Sequence, residues 1–326
     1  MAPDDLSTIA RELAEHFFMP LPDATLFAPL DQALEGLSAL YRPCFLAFRE
    51  SLVAAVETTS SPFTFAHESA VRGHSQRLHS AARIRALMLE AAPGESPEQL
   101  EARRSNEARA RARASMDEFM QSSSGQTAVI HDVADMLLSG ISKGVLVKVS
   151  RELLLQGVVM AWGTLEVLCK DLAILILNSH PQLVKSVLED AVAKRHFELP
   201  KLTLDTLLAT RFDLSHCLGH ILFADKDFSD LRRLKAAVNA LFPGAMPLGS
   251  ALDQALLWQL NQERHLIVHR RGIVDPQFIS ATGSSLQVGA SLPITPDALE
   301  ERFRIVTALG AVLAASIPDG GHLTTA

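Results

Sequence analysis

The stretch from Val145 to Asn178 is apolar on nearly every side of a helix. A chain dissolved in water tolerates such a helix only at the centre of a bundle. Glu166, Lys170 and Asp171 interrupt its greasiest part, Leu153 to Leu177, and the later run from Ile305 to Ile317 falls short of the roughly 20 residues a bilayer demands. No membrane span is therefore expected, and the architecture predicted around this helix is all-α. With 48% hydrophobic and 21% charged residues in 326, the chain can bury a sizeable core. Its length suggests about two domains, or one core with a helical extension.

Charge and cysteine usage narrow the setting. A net charge of −7 argues against a protein that coats nucleic acid through bulk charge, while leaving room for a local basic site. The opening MAPDDLSTIA carries two aspartates where a secretory leader has basic residues, and Cys44, Cys169 and Cys217 form neither a CxxC pair nor a regular framework. These features point to reduced thiols in a cytoplasm, with no membrane partner.

Helical periodicity runs through the rest of the chain. Leu6, Ile9, Leu13 and Phe17 share a face until Pro20. Leu30, Leu34, Leu37, Tyr41, Cys44 and Phe48 continue the period, with Pro43 as a kink or break. Ser60 to Pro62 punctuates the chain. From Arg72 to Arg113 arginine and alanine dominate two helices separated by a loop at Ala92 to Pro97. Arg103, Arg104, Arg109, Arg111 and Arg113 scatter around one helix and have Glu101 and Glu107 for neighbours, which reads as an ordinary solvated surface. The Ser122 to Gly125 cluster marks the predicted boundary between an N-terminal helical region, 1–124, and a second domain, 125–326.

In that second domain further helices are expected at Leu183 to Lys194 and Asp230 to Phe242. Ser250 and Asp253 have capping-box spacing for a helix running to Arg271 and stopping at Gly272. Gly283 to Gly289 suggests a short β-hairpin-like or paired extended segment, and Thr295-Pro296 opens a last helix whose face is Leu299, Phe303, Val306, Gly310 and Leu313.

The densest chemistry lies in Glu263-Arg264-His265-Leu266-Ile267-Val268-His269-Arg270-Arg271-Gly272. Taking Leu256 as the zero of a helical projection, Arg264 falls at about 80°, inside the apolar arc of Leu252, Leu257, Leu260, Ile267 and Val268. A guanidinium placed there needs a partner. Glu166 shares an arc of the central helix with Leu155, Val159 and Trp162, and it is the expected partner; a surface pair with Lys170 is the alternative. The opposite face carries Trp258, Gln262, His265 and His269, an unusual mixture for solvent, and Trp258 with Gln262 suits a dimer interface. Histidines four residues apart also suit zinc, but no glutamate stands between them as general base and no third ligand is evident, so no metal is expected. Imidazole proton transfer beside arginine-held phosphate is a metal-free chemistry for the same residues, and a non-catalytic binding or dimerisation surface is the third possibility.

Arg264-His265-Leu-Ile-Val-His269 resembles the signature of the HEPN superfamily, the higher eukaryotes and prokaryotes nucleotide-binding domains: Arg, a polar residue, then His after four to six positions. The continuation Arg270 to Asp275 and the upstream Trp162 to Glu166 resemble bacterial members associated with toxin and phage-defence systems, over roughly Val133 to Ile317. The resemblance implies a HEPN-like helical bundle with an N-terminal helical extension, dimerising so that two motifs share one cleft. In active relatives that cleft is a metal-independent endoribonuclease in which the RNA 2′-hydroxyl attacks the adjacent phosphate. Carried over, Arg264 and His269 are the catalytic pair, His265 and Glu166 support them, and Arg270 and Arg271 hold RNA. No cofactor is implied. The partners implied are RNA, a second copy of the chain, and an antitoxin or other defence-system protein. The alternative is a catalytically silent HEPN module binding RNA, nucleotide or a protein partner.

Overall fold

The computed structural model describes residues 11–19 and 23–317. Leu6, Ile9 and Pro20 lie outside the described residues. Fourteen α-helices, α1 to α14, account for most of what is described, residues 11–16 are also helical, and no strand is present among the described residues. No helix described is long and apolar enough to cross a membrane.

The helices fall into two compact units, and the division differs from a cut at residue 124. Residues 11–19 and Ser60–Arg151 make the first unit; 23–59 and Glu152 to Ile317 make the second. The physical reason is that the serine cluster is a helix cap rather than a linker. The Ser122 hydroxyl donates to the carbonyl of Phe119 and accepts from the Gly125 N–H, joining α4 (Pro97–Gln121) to α5 (Ser123–Ser142) at a tight corner. In the first unit α3 (Ser61–Leu87), α4 and α5 pack on one another, and Leu13, Phe17, Ala70, Val129, Val133 and Leu137 form the apolar centre. The loop expected at Ala92 to Pro97 is there, closed by a capping box between Ser96 and Gln99.

The second unit is built on the long apolar helix, α6 (Val145–Ser179), which begins and ends within one residue of the predicted limits. From Glu152 onward it contributes Val158, Trp162, Leu165 and Ile176 to the core, all fully buried. The predicted stripe is broken at 36–41, between α1 (Asp23–Glu35) and α2 (Arg42–Thr59), with Pro43 in the first turn of α2 rather than at the break. Leu30, Leu34 and Phe48 are buried on the two helices, Leu37 and Tyr41 are buried in the connection, and Cys44 is half-buried. The segment after α6 holds only short pieces, the 3₁₀ turns Pro181–Leu183 and Ala193–Arg195 and the helices α7 (Val184–Glu189), α8 (Leu204–Ala209) and α9 (Leu218–Phe223). Phe197, Phe223 and Phe228 interlock there with ring centroids 5.0–5.7 Å apart.

Next come α10 (Leu231–Leu241), capped by Asp230, and α11 (Met246–Leu252). Ser250 belongs to α11, so the capping box assigned to Ser250 and Asp253 is not formed. The motif helix, α12 (Ala255–Arg270), starts at Gln254 without a side-chain cap. It ends where Arg271 and Gly272 both take left-handed backbone, φ 54° and 71°. A short α13 (Pro276–Thr282) follows. The glycine-containing segment does not fold back as a hairpin. It pairs with the chain just after α12 instead, through an isolated bridge of Ile273 with Ser291 and backbone hydrogen bonds joining Val274 to Ala290 and Leu292 to Gly272. Four residues in that register are too few for a sheet, but they anchor the end of the motif helix. The last helix, α14 (Pro296–Ala315), is capped by Thr295 as expected and packs against α1, α11 and α12.

Candidate functional site

The polar side of α12 faces a cleft of about 350 Å³ formed with the N-terminal end of α10 and with α13. Arg264, His265 and His269 all line it, although Arg264 and His269 project about 140° apart on an ideal helix. Arginine's reach bridges the difference: Arg264 is half-buried, its Nη2 lies 3.7 Å from Oε2 of Glu166 on α6, and the residue still borders the cleft. The expected pair is thus present, but at 20% and 26% side-chain exposure it is a half-buried pair at the edge of the core. The rings of His265 and His269 are 4.4 Å apart between centroids and tilted by 50°.

Burial raises the pKa of Glu166 above the ordinary carboxylate value; Arg264 pulls it down, Asp227 pushes it up and Lys170 pulls it down. Asp227 is the opposite case. Burial raises it, yet the hydroxyl and backbone N–H of Ser229, with Arg233 and Arg264, outweigh that and hold it below the usual range. Arg233 approaches Asp227 at 3.4 Å. Arg264 thus stands between the carboxylates of Glu166 and Asp227, and Asp227 between Arg264 and Arg233, with Glu166 set behind the cleft lining.

The raised Glu166 carboxyl has a measurable consequence. A folded-state carboxyl titrating above its unfolded value binds more protons than the unfolded chain, so stability falls as pH rises through the interval between the two values. Glu166→Gln, which cannot ionise, is expected to melt at or a few degrees above wild type at pH 7, and to match it well below the ordinary carboxylate pKa. Thermal melts of both proteins at acid and neutral pH check this. A variant less stable than wild type at pH 7 alone would mean that the attraction of Arg264 exceeds the burial cost.

Trp258 and Gln262 also border the cleft. The Trp258 indole Nε1 donates to the Ala281 carbonyl on α13 at 2.9 Å, and the Arg232 guanidinium stands 5.3 Å above the ring. Arg270 and Arg271 do not line the cleft. Arg270 is exposed and lies 3.6 Å from Asp275, and Arg271 forms the left-handed end of the helix.

Several residues escaped the sequence reading. The charge on α12 that enters the core is Glu263, not Arg264: it is 2% exposed and takes both Nε and Nη2 of Arg302 on α14, at 3.1 and 2.8 Å. The same projection that placed Arg264 puts Glu263 at about −20°, inside the apolar arc but closer to its edge than Arg264, so periodicity alone does not single Glu263 out as the buried charge. Asn261 is buried and donates to the Ser229 carbonyl at 2.7 Å, tying α12 to the loop before α10. That loop and helix supply Asp227, Arg232 and Arg233, for which no local sequence signal exists.

Chemically, the cleft offers guanidinium forks for anionic oxygens, two adjacent imidazoles for proton movement, and a partly covered aromatic ring. Among the described residues no group of three or more His, Cys, Asp or Glu side chains is placed to hold a metal ion. No family model matches this chain, and comparison with curated proteins and with solved structures gives no match either.

Proposed function

We propose that this protein is an endoribonuclease of HEPN type that cuts RNA without a metal, acting in the cytoplasm as a toxin or anti-phage effector. The observation that carries this reading is the convergence of Arg264, His265 and His269 on one cleft with Arg232 and Arg233. In the reaction, the 2′-oxygen attacks the adjacent phosphorus, the O2′–P bond forms, and the P–O5′ bond breaks. His269 takes the proton that leaves the 2′-hydroxyl, and the departing 5′-oxygen takes up a proton from water. Charge developing on the phosphate oxygens falls to Arg264, held from behind by Glu166, with His265 supporting the substrate. A second copy of the chain completes the cleft, and an antitoxin or other defence-system protein controls it.

A second reading, a silent module that binds RNA, nucleotide or a partner protein, is favoured by one specific feature. The guanidiniums of Arg264 and Arg233 already face the carboxylates of Glu166 and Asp227. Incubating purified protein with RNA in excess EDTA separates the two. The expected result is cleavage leaving a cyclic phosphate and a 5′-hydroxyl, read by mass spectrometry of the fragments. Cleavage that requires added divalent metal overturns the proposed mechanism, and RNA binding without cleavage selects the silent module.

A further inference from the structure

Taken one helix at a time, the arginines between Arg72 and Arg113 point in all directions. Packing α3 against α4 changes that, because the groove between the two helices gathers side chains from both. His79 and Arg83 enter it from α3, and Arg109 and Arg113 from α4. Two adjoining stretches of this groove, about 560 and 710 Å³, share His79, Ser80 and Arg109, so one runs on into the other. Along α4 the lining extends from Glu101 to Asp117, which are the acidic residues of the groove.

The charge is segregated as well as gathered. From Ser69 to Leu89 there are four arginines and no Asp or Glu, and from Ala108 to Met116 three arginines and again no acid, in a chain whose net charge is −7. Some arginines of the first unit are spent internally: Arg77 on Asp132, Arg103 on Glu95 and Arg111 on Glu107. Among the described residues no carboxylate pairs with Arg83, Arg109 or Arg113, and all three are exposed. Arg109 and Arg113 are separated by about 6 Å along the helix axis.

We infer that this groove is a binding site for the phosphodiester backbone of a nucleic-acid strand. Unpaired guanidiniums in a row bind phosphate oxygens in a forked geometry, and the hydroxyls of Ser75, Ser80 and Ser105 add donors between them. Phe, Tyr and Trp are all missing from the lining, so the contacts fall on the backbone rather than on stacked bases and carry no sequence preference. A concave channel also suits a strand better than the flat surface of an anionic bilayer. The inference is independent of the cleft chemistry: it requires the first unit to hold a strand whether or not the second unit cuts it.

Fluorescence anisotropy with a labelled, unstructured 20-nucleotide RNA tests it, using the full chain with His269→Ala in every protein so that cleavage plays no part. Adding R83E/R109E/R113E is expected to weaken binding at least tenfold near 0.1 M salt and to flatten the slope of log affinity against log salt by about 2, at about 0.7 per lost contact on a single strand. R83Q/R109Q/R113Q, which keeps side-chain length and helix propensity, is expected to show a smaller loss in the same direction. K185E/K194E/K201E makes the same change of net charge on the second unit and is expected to stay within threefold of its parent. The inference is overturned if the groove variants bind within twofold of the parent, if the lysine variant loses as much as the groove variant, or if the protein binds phosphatidylserine vesicles and not RNA. Absence of RNA cleavage by the protein with its native His269, with strand binding intact, strikes only at the nuclease reading.

Discussion

His269→Ala is expected to lower the rate of RNA cleavage by about 10²- to 10⁴-fold, the range that a positioned general acid or base contributes. His269 is exposed at the rim of the cleft and makes no core contact, so removing its ring should leave stability within about 0.5 kcal/mol of wild type. Arg264→Ala should inactivate comparably and also melt lower, because Glu166 then keeps its half-buried carboxyl without the neighbouring cation. Arg264→Lys is expected to fall between, since it restores the charge opposite Glu166 but not the planar fork. Single-turnover cleavage with wild type and the three variants, each checked by thermal melting, decides the matter. If His269→Ala cuts at the wild-type rate, the cleft is not the catalytic centre.

The largest effect on stability is expected away from the cleft. Arg302 and Glu263 are 4% and 2% exposed, and the guanidinium meets the carboxylate through two nitrogens. Gln259 donates a further hydrogen bond to Glu263 at 2.8 Å. Arg302→Ala leaves the carboxylate in the core with that neutral donor alone, and breaking such a pair from one side costs about 3–5 kcal/mol. Replacing both partners with methionine removes the desolvation penalty along with the attraction, and this double variant should recover most or all of the loss. Urea unfolding of the single and double variants provides the measurement. Equal destabilisation by the single and the double change would show that the cost is lost packing rather than a stranded charge.

The helical elements were legible because each depends on local regularities. The central helix, the break just before Pro43, the loop before Pro97 and the Thr295 cap follow from periodicity and from backbone rules that act within a few residues. The misreadings share a different cause. The Ser122 cluster has the composition of a linker, yet whether serine hydroxyls cap a helix or face solvent depends on where the next helix packs. Ser250 and Asp253 had suitable spacing, but α11 and α12 are separate helices. The glycine-rich segment found its pairing partner at 272–274 rather than within itself, a long-range choice invisible to local patterning. In the site, the motif on α12 announced itself by density of charge. Asp227, Arg232 and Arg233 became part of it only because α10 packs alongside.

The Glu263–Arg302 clamp has a consequence for its neighbours in the chain. Successive residues on a helix project about 100° apart, so fastening one of them at two points leaves α12 no freedom to swivel about its own axis. With Glu263 locked toward α14, Arg264 has to look toward α6 and the two imidazoles toward the cleft. The aim of the motif is thereby set on the far side of the helix, and a change on α14 that touches nothing in the cleft would throw all three off their mark.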